Sequence, residues 1–289
     1  MNISLQKLPD GNLELILTVP WSTVSESYEK VVTELANNTE FPGFRKGKAP
    51  RKLAEEHFSK DKIYQEVLKY LLPKVYQEAI TEQKLHPIVN PKIELKEAAE
   101  GKDWLIRILT CEKPQIELGD YKAKIQEIKN AKRQKIWLPG QKPAVEGQEN
   151  PAAAGQKPSL DEILKVLFTA VKITLPQILI ENELNRSLSE LIDGVRKLGL
   201  TVEQYLASSN RTADGLRGEY AEQAKSTLSL EFALEEIADQ QTIQIDDKEI
   251  DQVIQKAKTE EEKKALAKQR YFLAYSLRRQ KTLDFLANL

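Results

Sequence analysis

The chain has 289 residues and a mass of 32.9 kDa, which leaves room for two or three domains. Its 43 Lys and Arg against 44 Asp and Glu give a net charge of −1, which excludes a generic polycation that coats nucleic acid. Mean hydropathy is −0.49, and no run approaches the ~18 apolar residues that a membrane span needs.

In chain order, residues 2–8 and 12–19 alternate as strands, and Pro9-Asp10-Gly11-Asn12 is a turn signal between them. Pro20 opens a helix whose Val24, Tyr28, Val31 and Leu35 share one face, and Asn37-Asn38 ends it. A loop of Pro, Gly and cations follows, and from Phe41 to Ala54 there are five cations (Arg45, Lys46, Lys48, Arg51, Lys52) and no acid. Positive charge concentrated in a neutral region points to a local docking patch. Pro50 begins a short helix to about Phe58, and a longer one runs from about Asp61 to Leu85. Pro73 lies inside that second helix and is expected to kink or interrupt it. Strand-like pieces at 92–96 and 103–111 complete a small α+β domain over 1–112, about four strands covered by helices.

Residues 113–158 read as a basic segment and linker, with net charge +4 over 113–160. Leu138–Pro158 holds four Pro and three Gly, too little apolar surface to offset its ordering entropy, and reads as a mobile linker. From Ser159 the signals are helical. Ser159 with Glu162, Thr201 with Gln204, Asp246 with Glu249 and Thr259 with Glu262 have the spacing of helix-capping pairs. Pro176 starts a long helix that Gly199 ends, another runs from about Ala213 to Asp239, Thr242–Ile245 looks extended, and the helix after Thr259 is expected to run to the end. This predicts an all-α domain over 159–289, with long helices whose charged faces suggest arms and an elongated molecule.

Catalytic signatures are missing from the sequence. His57 and His86 lack metal-ligand spacing, Cys111 has no partner motif, and there is no phosphate-binding glycine loop or nucleophile elbow. Glu55-Glu56 and Asp246-Asp247 are adjacent pairs, and neighbours on a helix point apart. The expectation is a non-enzyme with no cofactor and no metal. A lone cysteine fits a reducing compartment, and the N-terminus does not read as a signal peptide, so the chain is expected to be cytoplasmic and away from membranes.

The octapeptide Gly43-Phe44-Arg45-Lys46-Gly47-Lys48-Ala49-Pro50 decides the functional reading. Its glycines and flanking prolines fix a tight exposed turn. Two readings stay open on physics alone. One is a solvated interhelix loop with a half-buried Phe. The other is a hot-spot loop whose Phe44 fills a partner's pocket while Arg45 and Lys46 pair with acids or phosphates.

The octapeptide, preceded by Glu40-Phe41-Pro42, closely resembles the signature of trigger factor, a bacterial ribosome-associated chaperone family. The opening hairpin and the helix from Pro20 resemble that family's ribosome-binding domain. The stretches VKITLPQILIENELNRSLSEL from Val171, LGLTVEQYL from Leu198 and IQIDDKEIDQVI from Ile243 resemble its C-terminal chaperone domain. The resemblance implies that Phe44, Arg45 and Lys46 contact a large-subunit ribosomal protein beside the exit tunnel, with rRNA nearby. Gly43 and Gly47 would shape the turn, flanked by Lys48 and Pro50. It further implies an ATP-independent holdase for unfolded nascent polypeptides, its two helical arms forming a cradle, with a homodimer off the ribosome as an open state. Typical members insert an FKBP-like prolyl isomerase domain of roughly a hundred residues, which cannot fit in residues 113–160 because chains that short rarely build a core. The competing readings are an assembly chaperone or adaptor that works off the ribosome, and a residual prolyl isomerase.

Overall fold

The structure is a computed structural model that describes residues 1–48, 50–134, 159–257 and 259–289. They form two compact units: residues 1–113 with 176–179, and residues 114–175 with 180–289.

The first unit is built on a four-stranded antiparallel sheet. Strands β1 (Asn2–Lys7), β2 (Leu13–Val19), β3 (Lys92–Glu97) and β4 (Trp104–Thr110) lie in the order β1-β2-β4-β3. In both central strands every second residue is buried: Leu13, Leu15, Leu17 and Val19 on β2, and Trp104, Ile106, Ile108 and Thr110 on β4. The period-2 pleat sends Ile16, apolar like its neighbours Leu15 and Leu17, to the opposite face. On that face Arg107 joins Glu14 of β2, at 2.5 Å, to Glu94 of β3, at 3.2 Å.

Helices α1 (Trp21–Asn38) and α3 (Lys60–Gln83) cover the apolar face, with the short α2 (Arg51–His57) between them. The first turn of α1 is capped from afar: Trp21 N donates to Asp103 Oδ1 at 2.9 Å. Pro73 does not interrupt the helix, and α3 runs through it. Pro73 and Lys69, whose carbonyl loses its donor, both lie on the exposed face, where water can take the place of the missing N–H. The helix buries Ile63, Val67, Leu71, Val75 and Ala79, and closes with Lys84 in the left-handed region and Leu85 N donating to Ile80 O. Pro176–Leu179 complete the unit; Gln177 N donates to Asp10 O, and Ile178 N to Asn12 Oδ1 at 3.0 Å.

The second unit is helical apart from a two-residue ladder of β5 (Ile116–Glu117) with β6 (Lys172–Ile173). Here the structure departs from the reading of 113–158 as a basic segment and linker. Residues 121–134 form helix α4 (Tyr121–Gln134), and Leu118, Tyr121 and Ile125 enter a core with Ile163, Leu167, Leu234, Ile237 and Leu286. The apolar stripe at 121, 125 and 128 was masked by the cations interleaved with it. Three of those cations reach the ends of other helices: Lys122 Nζ to Gln241 Oε1 at 3.1 Å, Lys124 Nζ to Thr169 O at 3.5 Å, and Lys129 Nζ to Asn288 O at 3.4 Å. The Pro/Gly-rich stretch Leu138–Pro158 lies outside the described residues.

The remaining helices are α5 (Leu160–Ala170), α6 (Gln177–Lys197), α7 (Val202–Ser208), α8 (Ala213–Gln240), α9 (Asp247–Gln255), α10 (Glu260–Lys268) and α11 (Arg270–Asn288). Reciprocal capping boxes form at Ser159–Glu162, Thr201–Gln204 and Thr259–Glu262, and Gly199, at φ +74°, ends α6. Two expectations fail. Thr242–Ile245 is not a strand; Thr242 takes φ +51° as Ile243 N turns back to Ala238 O at 2.8 Å, a left-handed closure of α8. The helix after Thr259 breaks at Gln269, and Arg270, the first residue of α11, bonds Asp247 at 2.8 Å and Asp251 at 2.5 Å on α9.

Candidate functional site

The loop between α1 and α2 consists of two tight turns in succession. Phe44 N donates to Phe41 O at 3.1 Å, and Lys48 N to Arg45 O at 2.9 Å. Each turn places glycine third, Gly43 at φ +83° and Gly47 at φ +78°, the backbone that a type II turn requires. An added Cβ would meet nothing within 4 Å at Gly43, and at Gly47 nothing closer than Asn37 O at 3.8 Å. Glycine is thus demanded by the left-handed backbone and not by lack of space.

The loop is anchored at its entry. Phe41 is 4% exposed, and its ring meets His57 at 5.3 Å and Phe58 at 6.5 Å, both edge-on. Three residues later the chain points the other way: Phe44 is 42% exposed. Gly43, Arg45, Lys46, Gly47, Lys48 and Pro50 are exposed as well. Arg45, Lys46, Lys48 and Lys52 have no carboxylate partner among the described residues. The sequence-predicted residues that the structure describes thus lie together on one exposed loop, an aromatic ring beside unneutralised cations. Such a surface can fill an apolar pocket and pair with carboxylates or phosphates at its rim.

Arg51 departs from the group. Its guanidinium grips Glu29 of α1 through both terminal nitrogens, Nη2 to Oε1 at 2.6 Å, and takes Glu55 Oε1 through Nε at 3.1 Å and Nη2 at 2.9 Å. The cationic patch counted from sequence therefore loses one member, because its carboxylate partner comes from a different helix 22 residues earlier.

Other chemistry is quiet. Among the described residues no group of three or more His, Cys, Asp and Glu could hold a metal ion, and no helix is long and apolar enough to cross a membrane. Cys111 is buried, and burial pushes its thiol up to about 11, away from nucleophilic chemistry. The sequence reading named no contact residues in the helical unit. The structure exposes Leu198 (76%), Tyr271 (87%) and Phe272 (63%) there. No periodicity marked these as surface, since apolar positions on helices ordinarily face a core.

Comparison with known proteins decides the lineage. The family profile described as bacterial trigger factor protein (TF) matches residues 1–135, and that of its C-terminus matches residues 146–288. The chain belongs to the trigger factor family. Curated trigger factors resemble it chiefly over one stretch. That of Lactiplantibacillus plantarum is 34% identical over 114 residues, 39% of this chain and 26% of the relative. Those of Staphylococcus epidermidis and Halalkalibacterium halodurans are 32% and 34% identical over 122 residues, 42% of this chain and 28% of each relative. The matched stretch thus spans only about a quarter of these trigger factors. A solved structure described as promiscuous substrate recognition in folding and assembly activities of the trigger factor chaperone shares the fold, with a TM-score of 0.66 and 14% identity. It aligns with all of this chain and 99% of its own.

Proposed function

We propose that this protein is a cytoplasmic, ATP-independent chaperone that docks on the ribosome through the Gly43–Pro50 loop and holds unfolded nascent polypeptides. The observation that carries the reading is the loop: a buried Phe41 fixes its base, two glycine turns fix its path, and Phe44 with Arg45 and Lys46 stands exposed and unpaired by local acids. An exposed ring flanked by free cations matches a partner that offers an apolar pocket beside acidic groups or RNA phosphate, as a ribosomal protein next to rRNA does. Docking raises the effective concentration of chaperone near each emerging chain, so individual client contacts can stay weak and dispersed. Leu198, Tyr271 and Phe272 offer apolar contacts of that kind in the helical unit.

Prolyl isomerase activity is not part of the proposal. The two matched regions leave only residues 136–145 between them, too few for a catalytic domain. Replacing Phe44, Arg45 and Lys46 together by Ala abolishes cosedimentation with ribosomes and leaves the circular dichroism spectrum intact. Unchanged cosedimentation refutes the docking role. A pull-down dominated by one or two folded proteins without ribosomes supports the adaptor reading instead, and turnover of a proline peptide restores the isomerase.

A further inference from the structure

We propose that Arg51 is a positioning residue for the docking loop, held by Glu29 and Glu55, and makes no contact with the docking partner. The inference rests on the docking reading above and adds to it what holds the loop in its binding shape. At its entry the loop is fixed by Phe41, which is buried. At its exit, after Pro50, the apolar anchor is weaker: Leu53 of α2 packs against the core but is only partly buried, while Arg51 is the first residue of α2 and Lys52 beside it is exposed. Charge adds the second hold on the exit. Both terminal nitrogens of Arg51 hold the Glu29 carboxylate of α1, and Nε and Nη2 share Glu55 Oε1 of α2. A planar fork on one carboxylate with a second carboxylate at its edge restricts guanidinium orientation far more than a single ion pair does. It ties the start of α2 to the middle of α1, and the turns that display Phe44, Arg45 and Lys46 hang between that tie and Phe41.

Two consequences separate this role from direct contact. First, Arg51 is already neutralised, so it adds nothing to ion pairing with the partner. Second, removing Glu29 deletes an acid near a cationic surface. Electrostatics alone would then tighten binding to an acidic or phosphate-bearing partner. The positioning role predicts weakening, because a loosened loop must be ordered on docking.

The test uses the full chain with Arg51→Ala, Glu29→Ala, the double variant, and Arg45→Ala as the comparator that does touch the partner. Affinity for ribosomes is measured across salt concentrations. Arg51→Ala and Glu29→Ala each weaken binding by about tenfold, equivalent to about 1.4 kcal/mol. The double variant is no worse than either single one, since both break the same tie. The salt slope stays at the wild-type value in these three, whereas Arg45→Ala flattens it by about 0.7–0.9 for each phosphate no longer neutralised. In the free protein, ¹⁵N relaxation shows the Phe44–Lys48 amides gaining fast motion in both single variants. The proposal is overturned if Arg51→Ala flattens the salt slope as Arg45→Ala does, if Glu29→Ala leaves affinity unchanged or tightens it, or if the loop amides do not change. Wild-type protein that fails to bind ribosomes removes the docking function itself, and the relaxation measurement then still decides whether Arg51 orders the loop.

Discussion

Replacing Ile125 by Ala tests whether α4 is part of the helical core. Ile125 is 1% exposed and packs among Tyr121, Ile163, Leu167, Leu234, Ile237 and Leu286. The substitution deletes three carbons, worth about 2.4 kcal/mol at ~0.8 kcal/mol per buried methylene, and the unfilled cavity raises the cost to about 3–4 kcal/mol. A connector surrounded by solvent would lose almost nothing. The tryptophans make the two units separately observable: Trp21 and Trp104 lie in the sheet unit, and Trp137, outside the described residues, is replaced by Phe in the reference protein. Fluorescence then follows the first unit, and circular dichroism at 222 nm is dominated by the second. With an m value of about 2 kcal/mol/M, Ile125→Ala lowers the urea midpoint of the dichroism transition by about 1.5–2 M and leaves the fluorescence transition in place. A dichroism midpoint within about 0.2 M of the reference, a few tenths of a kcal/mol at that slope, refutes the assignment of α4 to the core.

Thr242 is β-branched at φ +51°, so Thr242→Gly relieves left-handed strain of about 1–2 kcal/mol and raises the melting temperature of the helical unit despite glycine's greater entropy when unfolded. Asp103→Ala removes the acceptor for Trp21 N and costs about 1 kcal/mol in the fluorescence-detected transition, and Asp103→Asn recovers most of it. Cys111, raised to about 11 by burial, reacts with a disulfide reagent at pH 8 only as fast as the unit opens, so labelling accelerates in proportion to the unfolded population as urea is added. Because its folded pKa lies above the unfolded value, near 9, the native state holds the proton more tightly; this contribution to stability is complete below about pH 9 and lost as pH rises towards 11.

Local chemistry was legible in the sequence and distant partnership was not. Capping boxes at Ser159, Thr201 and Thr259 announced three helix starts because the pairing closes within four residues. Gly43 and Gly47 announced the loop because positive φ is written into residue type. The cap on α1 escaped notice because its acceptor, Asp103, comes 82 residues later. Arg51 was counted with the exposed cations because nothing near it in sequence reveals Glu29. That Pro73 leaves α3 uninterrupted was not readable, because its cost depends on which way the unpaired carbonyl faces, and that is decided by tertiary packing. The stripe of Tyr121, Ile125 and Ile128 was readable in principle, but six Lys and Arg over 113–134 disguised it as a basic tether.

The sealing of the helical core by both α4 and Leu286 carries a consequence for how this protein is made. Synthesis delivers Ile125 roughly 160 residues ahead of Leu286, and at about 5–20 residues per second the wait is about 8–30 s. During that interval Tyr121, Ile125 and Ile128 have no finished core to enter. The sheet unit matures early, because apart from Pro176–Leu179 its parts are complete by residue 113. The sheet unit thus leaves the ribosome able to fold while the helical unit still waits for α11.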